Sequence, residues 1–422
     1  MLIVTAVIFN LGLALYLWRP SVSDVPPSVM VLENPIEQEH PQENPEEVVA
    51  TQSVTSKKVA IMNAVGAHDE VVVSVLYTML QIPEYEVDLF FSYPRYGIEQ
   101  IIAPFYSKPL IQPFFFNYHY EQNSDPDLVI LASCDASDLV VAGDALLSMA
   151  QRKPDLKIMC IVHNPQSIQD LHQQLLPFAQ RGVLGMVGLS PHVVDYIKET
   201  RLPQMAQDLD AVFASLPTFL FVPTFDYRLP QSCAISGDKE ENLACINNFV
   251  VQGLFESGRR DYSSLFDHLQ SKISDDQDQW NNFHLLLLGQ GSPFDLQEPL
   301  ASHVSTYNDI SYLEYYDKIH HSLALLPAFA SDSYLVYKAS SSIGASLLTG
   351  VPMIADQQLL DSYRHLTRDG VYFQNDGEHY VDTVERIRKL SIAEMNEKRA
   401  NASAMNQRII QDNINRFKNL KL

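Results

Sequence analysis

The chain has 422 residues, of which 46% are hydrophobic, and its formal net charge is −22 at pH 7. This length and apolar content are sufficient for two domains, each with its own core. The charge argues against a nucleic-acid partner, because the scattered basic residues form no basic segment that would offset phosphate repulsion.

The first 56 residues differ in composition from the rest of the chain. Residues 1–18 are apolar apart from Thr5 and Asn10, and at about 1.5 Å per residue they just span a hydrocarbon core. Residues 19–56 are rich in proline and glutamate and predict a disordered stem. We therefore expect a single-pass signal-anchor, with a cleaved signal peptide as the alternative. Arg19 after the anchor favours a cytosolic body by the positive-inside rule.

From residue 57 onward, short apolar runs alternate with helical segments. This alternation predicts a parallel doubly wound sheet, and hence a Rossmann-like domain over residues 57–228. The predicted strands are residues 59–65, 85–91, 127–132, 157–162, 185–189 and 219–222.

A turn-rich, charged stretch at residues 229–246 is predicted to link this domain to a second one. The alternation then restarts, which predicts a second Rossmann-like domain over residues 247–391, followed by C-terminal helices at 392–422. Its predicted strands are residues 249–253, 283–288, 323–327, 351–355 and 370–373. Ligands of such sheets bind at the carboxyl ends of the strands, so we expect the functional site in a cleft between the domains.

A hydroxyl cluster begins a predicted helix at residues 343–349. Three serines can cap it, and its unpaired N–H groups would face an anion together with the nearby Lys338. Gly350 suits the helix C-terminus and Pro352 ends it. The serines are Ser340, Ser341 and Ser342. An ordinary helix cap of a strand-helix-strand unit is the alternative.

This stretch resembles the donor-nucleotide segment of GT-B glycosyltransferases, in which small polar residues at a helix N-terminus bind the pyrophosphate and Gly-Val-Pro follows the helix. Gly344 belongs to the same resemblance. Glycogen-synthase-like members of family 4 have two glutamates where this divergent chain has Tyr337 and Ala345. The resemblance implies two Rossmann-like domains facing a cleft. It also implies transfer of a sugar from a nucleotide-sugar donor to a hydroxyl acceptor without metal.

Two histidines are candidate catalytic residues. His68 follows Gly66 at the end of the first strand and could act as the general base, with Asp69 or Glu70 orienting it. The alternative is that His68 and Asp69 only cap a helix. His163, followed by asparagine, resembles the first-domain histidine that lies near the donor sugar in GT-B enzymes. The alternative there is a loop histidine bonded to nearby backbone.

Further donor-binding candidates follow the strands of the second domain. The segment from Gly253 to the pair Arg259 and Arg260 resembles the glycine-rich loop whose downstream cations clamp the pyrophosphate; a solvated surface pair is the alternative. Gly289 would let a base or ribose approach the backbone. Asp356 resembles the aspartate that contacts sugar hydroxyls in plant-type sugar transferases.

We expect no metal and no other cofactor. Three Asp-x-Asp matches begin at residues 125, 208 and 276, but in an acidic chain such matches arise by chance. Cys134 and Cys160 are predicted to be buried thiols, whereas Cys233 and Cys245 could pair in an oxidising compartment. Asn401 begins the sole glycosylation sequon.

Anchor, stem and globular body together resemble a type II Golgi or endoplasmic-reticulum transferase, which implies a lumenal catalytic body. Two other functions stay open. The first is a non-catalytic GT-B-like protein that binds a glycan or a nucleotide, and the missing glutamates favour it. The second is a nucleotide-sugar epimerase, which would use the same cleft without an acceptor.

Overall fold

A computed structural model of the protein describes residues 56–228 and 246–420. The predicted anchor at residues 1–18 lies outside these ranges, as do all but the last residue of the predicted stem and of the predicted linker. Among the described residues, no helix has both the length and the apolar character needed to cross a bilayer.

The first sheet has six strands, all parallel, in the order β2-β1-β3-β4-β5-β6. Its strands are β1 (Lys57–Asn63), β2 (Tyr85–Phe91), β3 (Leu128–Leu131), β4 (Lys157–Val162), β5 (Leu184–Gly188) and β6 (Thr218–Leu220). Helices cover both faces, and this is why the middle residues of the central strands are apolar on both sides. In β1, for example, Val59 and Ile61 belong to one core, and Ala60 and Met62 to the core on the opposite face.

Helices connect the successive strands of this first half. They are α1 (Asp69–Leu80), α2 (Ile98–Ile102), α3 (Phe116–Gln122), α4 (Ala136–Arg152), α5 (His172–Gln180), α6 (Pro191–Tyr196) and α7 (Leu202–Asp208). The capping box of Asp135 and Asp138 fixes the start of α4.

The second sheet has the parallel order β10-β7-β8-β9, and a parallel bridge between Leu325 and Met353 joins it to the pair β11-β12. Its strands are β7 (Asn248–Leu254), β8 (His284–Gln290), β9 (Val304–Asn308), β10 (Ser322–Leu325), β11 (Ile354–Ala355) and β12 (Tyr372–Phe373). The predicted strand over residues 351–355 was too long, because the N–H of Val351 bonds to the carbonyl of Ser346 at the helix end and Pro352 has no N–H to donate.

Eight helices accompany the second sheet among the described residues. They are α8 (Tyr262–Asp275), α9 (Gln277–Trp280), α10 (Tyr312–His320), α11 (Ser333–Val336), α12 (Ser341–Thr349), α13 (Gln357–Ser362), α14 (Tyr380–Arg388) and α15 (Ile392–Lys418). Both sheets lie in one compact unit, Val54–Leu422. The chain reverses its strand order between β1 and β3 and between β7 and β10, and such points create crevices at the carboxyl ends of strands.

The long helix α15 runs from the second sheet back to the first. The side chain of Asn413 donates to the carbonyl of Val222 at 2.8 Å and accepts from its N–H at 3.3 Å. Phe417 packs on Phe221, with 5.9 Å between ring centroids, and belongs to a core of the first sheet. This helix therefore holds the two halves in a fixed relation.

The prediction that Cys134 and Cys160 are thiols was wrong, because they form a disulfide with 5.0 Å between their Cα atoms. Leu131 pairs with Cys160 across the β3-β4 ladder, and the chain turns after β3 so that Cys134 lies above its neighbour strand. Which strands are adjacent is a tertiary property, and the sequence pattern gave no sign of it.

Candidate functional site

A cavity of about 560 Å³ lies between the carboxyl ends of the two sheets. Its volume falls within the usual range of small-molecule sites, about 300 to 1,000 Å³. The walls come from both halves of the chain, so a bound molecule would contact both. On the first-domain wall the polar lining residues are His68, Glu70, Ser74, Arg95, Tyr96, His163 and Asn164.

Arg260 is the most buried cation of the second-domain wall, with 3% of its surface exposed. Its guanidinium donates to the carbonyl of Gln252 at 3.1 Å and to the hydroxyl of Ser342 at 3.1 Å. The rings of Phe329 and Tyr334 each lie 5.3 Å from the guanidinium carbon. Neutral partners thus fix the side chain and leave its charge uncompensated.

The other cations of the lining differ in whether a carboxylate neutralises their charge. Arg95 pairs with Asp69 at 3.4 Å and Arg259 pairs with Glu256 at 2.7 Å. Within the described residues, neither Arg260 nor Lys338 forms an ion pair, although both line the cavity. Burying an unpaired cation is costly, and an anion in the cavity would offset that cost at Arg260.

The N-terminus of α12 opens onto the same wall. Ser340 caps the helix by accepting from the N–H of Ser342 at 3.3 Å, and Gly350 ends it in the left-handed region with φ of 63°. Ser340 and Ser341 line the cavity. The positive end of the helix therefore adds to the field of Arg260 and Lys338, an arrangement suited to phosphate groups.

On the first-domain side, the loop after β1 is fixed by two polar residues. Asn63 donates to the carbonyl of Ala67 at 2.6 Å, and a carboxylate oxygen of Asp138 accepts from the N–H of Ala64 at 2.7 Å. The loop then places His68 in the left-handed region, with φ of 63°. This conformation turns the imidazole of His68 into the cavity.

The rings of His68 and His163 stack, with 3.5 Å between centroids. His163 Nε2 lies 2.9 Å from the carbonyl of Ala132. Because a carbonyl only accepts, Nε2 carries the proton and Nδ1 is left as an acceptor. Burial lowers the pKa of His68 to about 4 and holds the pKa of His163 well below its usual value, so both rings are neutral at pH 7.

The two acidic residues after His68 lie in different surroundings. Asp69 is fully buried outside the cavity lining and accepts from the N–H of Arg95 at 3.2 Å. Burial raises the pKa of Asp69 to about 6 even though Arg95 opposes the shift. Glu70 lines the cavity, burial raises its pKa, and the hydroxyl of Tyr312 donates to it at 3.4 Å. Glu70, not Asp69, is therefore the carboxyl group of this loop that faces a bound molecule.

Comparison with known proteins identifies the fold. No family model and no curated sequence matches the chain. Among solved structures, an alpha-glucosyltransferase in complex with UDP is 13% identical and superposes with a TM-score of 0.55, over 83% of this chain and 95% of that one. Sucrose-phosphate synthase from Thermosynechococcus elongatus is 12% identical, with a TM-score of 0.53 over 86% and 98% of the two chains.

Anabaena HepE in complex with UDP-glucose is 15% identical, with a TM-score of 0.52 over 86% of this chain and all of that one. These neighbours are GT-B proteins. The chain has the GT-B fold. At such identities the likeness concerns the fold alone, and the chemistry has to be argued from the cavity.

The GT-B cleft brings together most of the residues that the sequence singled out. Those in the lining are His68, His163, Gly253, Arg259, Arg260, Gly289, Lys338, Ser340, Ser341 and Gly344. A Cβ at Gly289 would lie 1.7 Å from the carbonyl oxygen of Gly253, so close packing of β7 and β8 already requires this glycine.

Four other candidates lie outside the lining, and local contacts explain where they are. Gly66 packs against Tyr93, and Asp69 is paired with Arg95. Ser342 is buried behind Arg260. Asp356 caps α13 by accepting from the N–H of Leu359 at 2.8 Å.

Sequence reasoning missed several polar residues of the GT-B cleft. No sequence motif marks Tyr96, Asp309 or Tyr312. They reach the cavity only because the two halves of the chain face each other there. Among the described residues, no group of three or more histidine, cysteine or acidic side chains could hold a metal ion.

Proposed function

We propose that the protein is a glycosyltransferase that moves a sugar from a nucleotide-sugar donor to a hydroxyl acceptor, without metal. The observation that supports this proposal most is the buried Arg260, which has no ion-pair partner among the described residues and lies beside the α12 N-terminus and Lys338. A diphosphate supplies the negative charge that this wall lacks.

The structural neighbours add support from the fold. The alpha-glucosyltransferase was solved in complex with UDP and HepE in complex with UDP-glucose. In both, the ligand belongs to a chain of the same fold, and the cationic wall of the present cavity suits a ligand of that chemical class.

In the proposed reaction, each wall of the cavity has one role. The acceptor oxygen forms a bond to the anomeric carbon while the bond from that carbon to the phosphate oxygen breaks, and the nucleoside diphosphate leaves with the electron pair. Arg260, Lys338 and the α12 N-terminus stabilise the charge that develops on the leaving group. A group of the first-domain wall, Glu70 or His68, takes the proton of the acceptor hydroxyl.

The test is binding of UDP, GDP and their sugars to the full-length protein, measured as a rise in melting temperature. A ligand that binds only the folded state raises it by mass action, and the nucleotide that does so identifies the donor base. Lys338→Ala should weaken that nucleotide about tenfold, and Lys389→Ala, which removes an exposed surface lysine, should not. No rise with any nucleotide at millimolar concentration contradicts the proposal.

The substitution of both glutamates by Tyr337 and Ala345 favours a second candidate, a GT-B-like module that binds without turnover. Release of nucleoside diphosphate from a sugar nucleotide distinguishes these candidates and the epimerase. A glycosyltransferase releases it faster when an acceptor is present, an epimerase releases it without acceptor, and a binding module leaves the donor intact.

We also propose that residues 1–18 anchor the protein in the Golgi or endoplasmic-reticulum membrane, with a lumenal body. Membrane fractionation of the full chain and of a variant lacking residues 1–18 tests the anchor. Pairing of Cys134 with Cys160 is compatible with a lumenal body. Protease protection of the body in sealed vesicles tests its orientation.

A further inference from the structure

Tyr96 reaches from the first domain across the mouth of the cavity. Its backbone has φ of 50°, a left-handed conformation that is unfavourable for a non-glycine residue, and Gly97 follows with φ of 68°. The carbonyl of Tyr96 accepts from the N–H of Tyr312 at 2.8 Å. Contacts to the second domain therefore hold this loop in a conformation that it would not prefer alone.

The hydroxyl of Tyr96 is shared between two polar side chains of the second domain. It donates to a carboxylate oxygen of Asp309 at 2.9 Å and accepts from the side-chain amide of Gln290. Gln290 ends β8 and Asp309 follows β9, and both line the cavity. One carboxylate and one amide thus converge on a single hydroxyl group.

We propose that Gln290 and Asp309 bind a ribose hydroxyl of the donor, and that the Tyr96 hydroxyl occupies their polar groups until the donor enters. This inference rests on the proposed function and adds to it a nucleoside subsite and a competing side chain of the protein itself.

The hydrogen-bonding pattern supports ribose as the ligand. A ribose hydroxyl has the same capacity as a phenol to donate to a carboxylate while it accepts from an amide N–H. The end of the second strand in a Rossmann-like domain is also where a polar side chain commonly contacts ribose, and β8 occupies this place in the second sheet. Ala345, where related families have a glutamate, supplies no polar group to the same cavity.

The charges around Tyr96 allow its side chain to be displaced from Asp309 and Gln290. Arg95 lies over the Tyr96 ring, 5.7 Å from its centre, and is already paired with Asp69. The displaced tyrosine thus leaves no unpaired charge behind, and the relaxation of its strained backbone favours departure. Donor binding exchanges one hydroxyl for another at Asp309 and Gln290.

The experiment measures the affinity of Tyr96→Phe for UDP, GDP and inorganic pyrophosphate by calorimetry, using the full chain. Loss of the competing hydroxyl should tighten the nucleotide that binds the wild type about 3- to 10-fold. Pyrophosphate, which contacts only the cationic wall, should bind both proteins equally. A 2′,3′-dideoxy nucleoside diphosphate should show no gain.

Two further variants complete the design. Tyr118→Phe removes the hydroxyl of an exposed first-domain tyrosine and should change no affinity. Asp309→Asn should weaken the ribonucleotide in both the wild-type and the Tyr96→Phe background. Circular dichroism of each variant establishes that it is folded.

An unchanged or weakened nucleotide affinity in Tyr96→Phe overturns the inference. So does an equal gain for pyrophosphate, since the tyrosine would then close the whole cavity and not one subsite. If the wild type binds neither nucleotides nor pyrophosphate, the proposed function itself fails, which is a different result from wild-type binding that Tyr96→Phe leaves unaltered.

Discussion

The imidazoles of His68 and His163 lie face to face, 3.5 Å apart and inclined by 17°, although the two residues are far apart in the sequence. Stacked at this distance, two imidazolium cations would repel each other strongly. The stacked arrangement therefore disfavours protonation of both rings at once. A change of pH acts on it directly.

His68 should make folding stability fall on acidification. Its pKa is lowered to about 4 in the folded chain, from 6.5, so between these values the unfolded chain binds the additional proton. The contribution of His68 is complete above about pH 6.5 and is lost as pH falls toward 4, by up to about 3 kcal/mol. His68→Asn should flatten the pH dependence of urea unfolding over this window.

The pH dependence of unfolding must be compared between the wild type and variants. The raised pKa values of Asp69 and Asp138, each about 6, change stability in the opposite direction to His68. Their contributions are present at low pH and lost as pH rises through 6. His172→Asn, in α5 and outside the cavity, is the matched control. A similar flattening in that control would argue against the stacked pair as the cause.

Ser342→Ala should weaken donor binding although Ser342 does not line the cavity. The hydroxyl of Ser342 accepts from Arg260 at 3.1 Å and from the side chain of Gln252 at 2.6 Å, so its loss frees the guanidinium to move. We expect a 3- to 10-fold weaker nucleoside diphosphate affinity and about 1 to 2 kcal/mol lower stability. Calorimetry and urea unfolding measure the two effects.

Ser346→Ala is the matched control on the same helix. Its hydroxyl donates to the carbonyl of Val351 at 2.6 Å, away from the cations. Stability should fall by a similar amount while donor affinity stays constant. Equal losses of affinity in both variants would mean that helix stability, and not the position of Arg260, controls binding.

Glu70→Gln should lower turnover and raise stability at alkaline pH. Burial raises the pKa of Glu70, so ionisation of this carboxyl group costs stability as pH rises, and an amide avoids that cost. If Glu70 takes the acceptor proton, kcat should fall about 10²- to 10⁴-fold with little change in donor affinity. Sugar-transfer kinetics and thermal melts at pH 8 check both parts.

Glu121→Gln, at an exposed position of α3, should change neither quantity. Full activity in Glu70→Gln would transfer the role of proton acceptor to His68.

Gly350 and Gly143 should respond to alanine in opposite directions. Gly350 has φ of 63°, and a Cβ there would lie 2.5 Å from the hydroxyl oxygen of Ser403, so Gly350→Ala should destabilise the protein by about 1 to 3 kcal/mol. Gly143 lies within α4 with open space around it, so Gly143→Ala should stabilise by about 0.5 to 1 kcal/mol. Urea unfolding of the two variants tests the contrast.

The sequence by itself determined the alternation of strands and helices and the N-terminal serines of α12. These are local properties: apolar runs of strand length, a hydroxyl at a cap and a glycine after a helix each favour one backbone conformation whatever surrounds them. Arg260 and His163 were singled out because they follow strands and resemble GT-B residues, and parallel strands bring their carboxyl ends to one edge.

Only the tertiary structure decided which of these residues act together. Strand adjacency paired Cys134 with Cys160, the direction of the first turn of α1 buried Asp69 and turned Glu70 into the cavity, and the approach of the domains brought Tyr96 to Gln290 and Asp309. Contacts between residues distant in sequence depend on how whole elements pack, and local conformational preferences carry no information about that packing.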